Sequence, residues 1–98
     1  MKYLITQSQL DKIIFKYLDN QDLIQIDKKW VVYFVNSEGD DYANSLIRYY
    51  KGGECIIRFE LIDEIKTFFS MEFNESKYVI ARWVADTLGV RVTDVIIM

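Results

Sequence analysis

Carboxylates set close to a glycine can hold a divalent cation, and residues 36 to 45, "NSEGDDYANS", place Glu38, Asp40 and Asp41 around Gly39. An EF-hand loop has glycine sixth and a bidentate glutamate twelfth. With Gly39 sixth, the first ligand would be Phe34 and the twelfth Ser45, and neither serves. Between two extended stretches, Asn36-Ser37-Glu38-Gly39-Asp40 is instead ordinary turn chemistry: the Asn and Ser side chains bond their own backbone and glycine takes a left-handed conformation. The expectation is a turn and no metal site.

Catalytic chemistry is equally thin. The chain has no histidine, which removes the commonest general base, Ser-His and Cys-His activation, and most zinc sites. Cys55 is the only cysteine; on the core-like face of a hairpin it should behave as a small hydrophobe. The pairs Asp40–Asp41 and Asp63–Glu64 are sequence neighbours, which point apart on a strand or helix. Gly52-Gly53 lacks the spacing of a phosphate-binding loop. No catalytic, cofactor-binding or metal-ligating residue is expected, and the chain reads as a non-enzyme.

Binding chemistry remains. The net charge of −3 supplies no general attraction for phosphates. A nucleic-acid surface would have to be local, and two candidates exist. One is the helix pair 61–69 and 74–88, superficially a helix-turn-helix, whose second helix offers Asn74, Lys77 and Arg82; Glu75 and Asp86 weaken it. The other is a sheet face with Tyr49, Arg58 and Lys51, similar in composition to a base-stacking platform.

These side chains need elements to hold them. Ninety-eight residues, about half apolar, make one domain with a modest core. The longest wholly apolar run, Val31 to Val35, is strand-sized, far below the roughly 20 residues of a membrane-spanning helix. The opening lacks the features of a signal peptide, and the lone cysteine fits a reducing compartment, so a cytoplasmic location is expected. Residues 3–5 read as a short strand. Thr6-Gln-Ser-Gln9 matches a capping box, and Leu10, Ile13, Ile14, Tyr17 and Leu18 follow the helical period, predicting a helix over 7–19. "LIQIDKKWVVYFVN" predicts two strands around a turn at Asp27–Lys29. The second is apolar on both faces, with Trp30, Val32 and Phe34 on one and Val31, Tyr33 and Val35 on the other.

"LIRYYKGGECIIRFE" predicts a hairpin with Gly52-Gly53 as a two-residue turn. That register sets Tyr50 against Cys55 and Tyr49 against Ile56. Leu46, Tyr50, Cys55, Ile57 and Phe59 then share the core face, and Ile47, Tyr49, Ile56 and Arg58 the other, with Lys51 facing Glu54. Asn74 is the expected N-cap of the last helix and Gly89 its C-cap glycine. "VRVTDVII" closes the chain as a strand. The fold class is α+β: an antiparallel meander of about four strands, an N-terminal helix, a C-terminal helix pair and a short terminal strand at an edge.

The first residues, "MKYLITQSQLDKIIFKYLDNQD", resemble the start of small marine-phage and marine-metagenome proteins that open on variants of "MKYLIT.SQL". That resemblance implies a phage or marine-microbe origin and life in the host cytoplasm, and it carries no activity. The expected role is a small binding or assembly module. Its partner is itself or another protein, and the expected dimer face is Ile47, Tyr49 and Ile56, rimmed by Arg58 and the Lys51–Glu54 pair. The alternative is a nucleic-acid-binding accessory protein. Whether the helices cover both sheet faces or only one decides how much of that surface is left.

Overall fold

A computed structural model of the chain describes residues 7–36 and 44–98. Their order is α1 (Gln7–Asp19), β1 (Ile24–Asp27), β2 (Val31–Val35), β3 (Ile47–Tyr50), β4 (Glu54–Ile57), α2 (Phe59–Phe69), α3 (Phe73–Leu88) and β5 (Asp94–Ile97). The sheet runs β1-β2-β3-β4-β5, the first four strands antiparallel and β5 parallel to β4. The α+β meander with an N-terminal helix and a C-terminal helix pair is as the sequence predicts. The expected strand at 3–5, the capping box at Thr6 and the acidic turn at Glu38, Asp40 and Asp41 lie outside the described residues.

Each helix contributes one apolar stripe, and the three stripes meet on the same face of the sheet. Ile14 and Leu18 of α1, Leu61, Ile62 and Ile65 of α2, and Val79, Ile80, Trp83 and Val84 of α3 form one cluster with the strand residues Val32, Phe34, Ile47, Tyr49, Cys55 and Ile57. α3 lies between the other two helices. Arg82 holds Asp11 of α1 in a two-pronged ion pair (2.8 and 3.0 Å), and the Trp83 indole N–H donates to Asp19 Oδ1 at 2.9 Å. Tyr17 closes the α1–α2 contact, its ring 4.8 Å from Phe68 and 5.4 Å from Phe69 between centroids. Covering of both faces by helices, one of the two expected arrangements, does not occur among the described elements.

Several local expectations are corrected. Asp27 still pairs with Val32, and the Lys28 N–H donates to the Val31 carbonyl (2.9 Å), so Lys29 and Trp30 form the tip of the first turn. Trp30, expected beside Val32 and Phe34, is 71% exposed there. Phe59 begins α2 instead of ending a strand. The residue flanking α3 is Glu72 and not Asn74, which falls inside the helix; Gly89 does end it, at φ 64°.

The largest correction is the register of β3 and β4. Tyr49 pairs with Cys55, Arg48 with Ile56 and Ile47 with Ile57. The Gly53 N–H donates to the Tyr50 carbonyl (2.8 Å) and Gly53 has φ 116°. The connection is therefore a three-residue loop, Lys51 to Gly53, that closes on a glycine bulge. A one-residue slip exchanges the faces. Ile47 and Tyr49 enter the core, and Tyr50 leaves it.

Candidate interaction surface

Because all described helices share one face, no described helix covers the opposite face of the sheet. Residues opposite one another in neighbouring strands share a face, so the registers lay out a transverse row: Ile26, Tyr33, Arg48, Ile56 and Ile96. To one side lie Ile24 and Val35, with Leu46 and Arg58 continuing that row through the bond from the Arg58 N–H to the Leu46 carbonyl (2.8 Å). To the other side lie Val31 and Tyr50, then Glu54 against Asp94. The surface is apolar and aromatic, with an arginine at its middle and an acidic corner.

The arginines are held in place. The Arg48 guanidinium carbon lies 5.8 Å from the Tyr33 ring centroid, and its Nε donates to Ser45 Oγ at 3.0 Å. Arg58 Nε donates to the Ser45 carbonyl at 3.1 Å, and Ser45 is fully buried. A cation over a ring costs little desolvation and gains roughly 0.5–1 kcal/mol, so Arg48 lies along the sheet and does not break its apolar continuity. Accessibility is uneven across this surface. Val35 is 1% exposed and Val31 9%, both apart from the main core cluster, whereas Ile96 on β5 is 38% exposed. Within the row, Ile96 on β5 is the most exposed residue.

The expected interface is thus taken apart. Ile47 is fully buried, and Tyr49 is 5% exposed with its hydroxyl donating to the Arg91 carbonyl at 3.3 Å. Ile56 and Arg58 lie on the opposite face from them. Lys51 is exposed and pairs with Asp27 (2.9 Å) rather than facing Glu54. The same slip removes Tyr49 from any base-stacking platform with Arg58. On α3, Asn74 is exposed, Lys77 lies over the Tyr78 ring at 4.7 Å, and Arg82 is bound to Asp11, so these three do not form a basic face. The sequence pattern does not single out Tyr33, Arg48 or Ile96. A three-residue loop, Lys51-Gly52-Gly53, sets Arg48 against Ile56, whereas Tyr33 and Ile96 join the row through the β2–β3 and β4–β5 registers, which that loop does not fix.

Burial displaces the titration of Cys55 and of Tyr17. Burial pushes the Cys55 thiol up to about 12, which leaves no thiolate nucleophile near neutral pH. The Tyr17 hydroxyl is raised, chiefly by burial, then by its hydrogen bond to Glu64 Oε2 at 2.8 Å and that carboxylate's charge. Among the described residues, no three acidic or thiol side chains gather as metal ligands, and no helix is long and apolar enough to cross a membrane. No family model, no curated protein and no solved structure matches this chain.

Proposed function

We propose that this chain is a small non-enzymatic binding or assembly module that works as a homodimer and presents the helix-free face of its sheet. The observation that supports it most is the row Ile26, Tyr33, Arg48, Ile56 and Ile96, an apolar strip with one ordered arginine. Aromatic residues and arginine are enriched at protein interfaces, and lysine is depleted. Lys51, at the hairpin end, is paired with Asp27, which lies opposite Val32 on the helix-covered face. A second copy about a two-fold axis is the commonest partner for a small protein. Native mass spectrometry from micromolar solution is the test: a dimer is expected, and monomer alone contradicts the reading. Burial of Tyr49 and the pairing of Arg82 with Asp11 weigh against the nucleic-acid alternative.

A further inference from the structure

The edge of β5 that no described strand covers is the candidate site of self-association, an inference that rests on the homodimer proposed above. Among the described residues β5 pairs only with β4. The Met98 N–H donates to the Ile57 carbonyl (3.0 Å) and the Phe59 N–H to the Met98 carbonyl (3.1 Å). Backbone direction alternates along a strand, so Met98 and Ile96 turn their polar groups toward β4, while Val95 and Ile97 turn theirs outward. Those outward groups are what an added strand would bond. Protected edges carry charged side chains, proline or a bulge; β5 is Asp94-Val95-Ile96-Ile97, with one charge at its first residue and neither lysine nor proline. Ile96 and Ile97 are 38% and 41% exposed, on opposite faces of the strand.

A groove runs beside this edge. It has a volume of about 310 Å³, with Ala81 and Ala85 of α3 and Val95 among its lining and Tyr78 and Arg82 at its rim. Small alanines leave room for apolar side chains spaced two apart on an extended chain. β5 itself carries that pattern, Val95 and Ile97, on the face that turns toward α3.

We infer that the occupant is β5 of a second copy, antiparallel about a two-fold axis at Ile96. Val95 then exchanges both backbone bonds with Ile97 of the second copy, and Ile97 with Val95. Ile96 meets Ile96, and each groove receives the other copy's Ile97. Shifting the axis to Val95 would require the Thr93 N–H, which is already given to the Gly53 carbonyl at 2.8 Å. The sheet becomes continuous across both copies, and the helix-free faces join at Ile96. One such face has a footprint on the order of 300 Å² from strand spacing and length, well short of the roughly 800 Å² per partner of a standard interface. Edge pairing doubles the face. The strand edge is itself only about 13 Å long, so the dimer is a reversible, micromolar one.

Cysteine cross-linking tests the geometry, because the central pair of this register does not exchange bonds and brings its Cα atoms to about 4.5 Å, within disulfide range. Ile96→Cys should form a disulfide-linked dimer under mild oxidation many-fold faster than Asp63→Cys on the exposed side of α2; buried Cys55 does not compete. Ile96→Lys sets like charges face to face and should give monomer in native mass spectrometry with its melting curve retained, while Ile56→Lys stays dimeric. A dimer that survives Ile96→Lys, together with no excess cross-linking of Ile96→Cys, overturns the edge assignment and leaves the homodimer standing. A monomeric unaltered chain overturns both.

Discussion

At the scale of single residues, Cys55 and Trp83 are held in ways that measurements can separate. Cys55 is fully buried between Tyr49 and Val95, its partners across β3 and β5. It should resist a thiol reagent in the native protein and label readily once unfolded. Cys55→Ala should cost about 1 kcal/mol through the small cavity it leaves. Its thiol is raised in the fold from the ordinary 9.0 to about 12, so the unfolded chain loses its proton first as pH rises. The stabilising contribution is complete below pH 9 and is lost between pH 9 and 12, by up to about 1.4 kcal/mol per pH unit. Denaturant melts across that window should fall more steeply for the unaltered chain than for Cys55→Ala; parallel slopes would contradict the burial. Trp83 is buried, and its indole N–H has Asp19 as acceptor. Asp19→Ala should cost about 1 kcal/mol or somewhat more by leaving that donor unmet, whereas Asp19→Asn keeps an acceptor and should recover most of it in the same melts.

The elements differ in how far the sequence determines them. α1 is legible to its ends because Leu10, Ile13, Ile14, Tyr17 and Leu18 repeat at the helical period, and that period needs no distant partner. The hairpin is legible as a hairpin but not in register. Gly52-Gly53 suits a two-residue turn as well as a three-residue loop, and what selects the loop comes from the other end of the chain. The Thr93 N–H donates to the Gly53 carbonyl, and Thr93 Cγ2 would lie 3.2 Å from a Cβ on Gly53, with Oγ1 in direct collision. Thr93, the residue before β5, therefore locks the bulge, and with it the face on which Tyr49, Tyr50 and Ile56 fall. The candidate surface was unreadable for the same reason, since one residue of slip exchanged its members with the core. Gly53→Ala should accordingly cost about 1–3 kcal/mol, from a left-handed backbone and the clash with Thr93. Gly52→Ala meets nothing within 4 Å and should change the melting midpoint little. Equal losses at the two glycines would show that the bulge is not what fixes the register.

For the whole molecule, the decisive feature is that three helices gather on one side of a five-stranded sheet. α3 sits between α1 and α2, tied to α1 by Arg82–Asp11 and Trp83–Asp19. What the helices leave is an apolar face shielded at β2 and accessible at β5, an edge strand whose one charge is Asp94 at its start and which carries two exposed isoleucines. The edge-paired dimer proposed above accords with a net charge of −3, which supplies no general attraction for a phosphate backbone. Sedimentation velocity of the unaltered chain across the micromolar range tests this most directly. The expected result is a sedimentation coefficient that rises with concentration from monomer to dimer and goes no further. A single monomeric boundary at every concentration would contradict it.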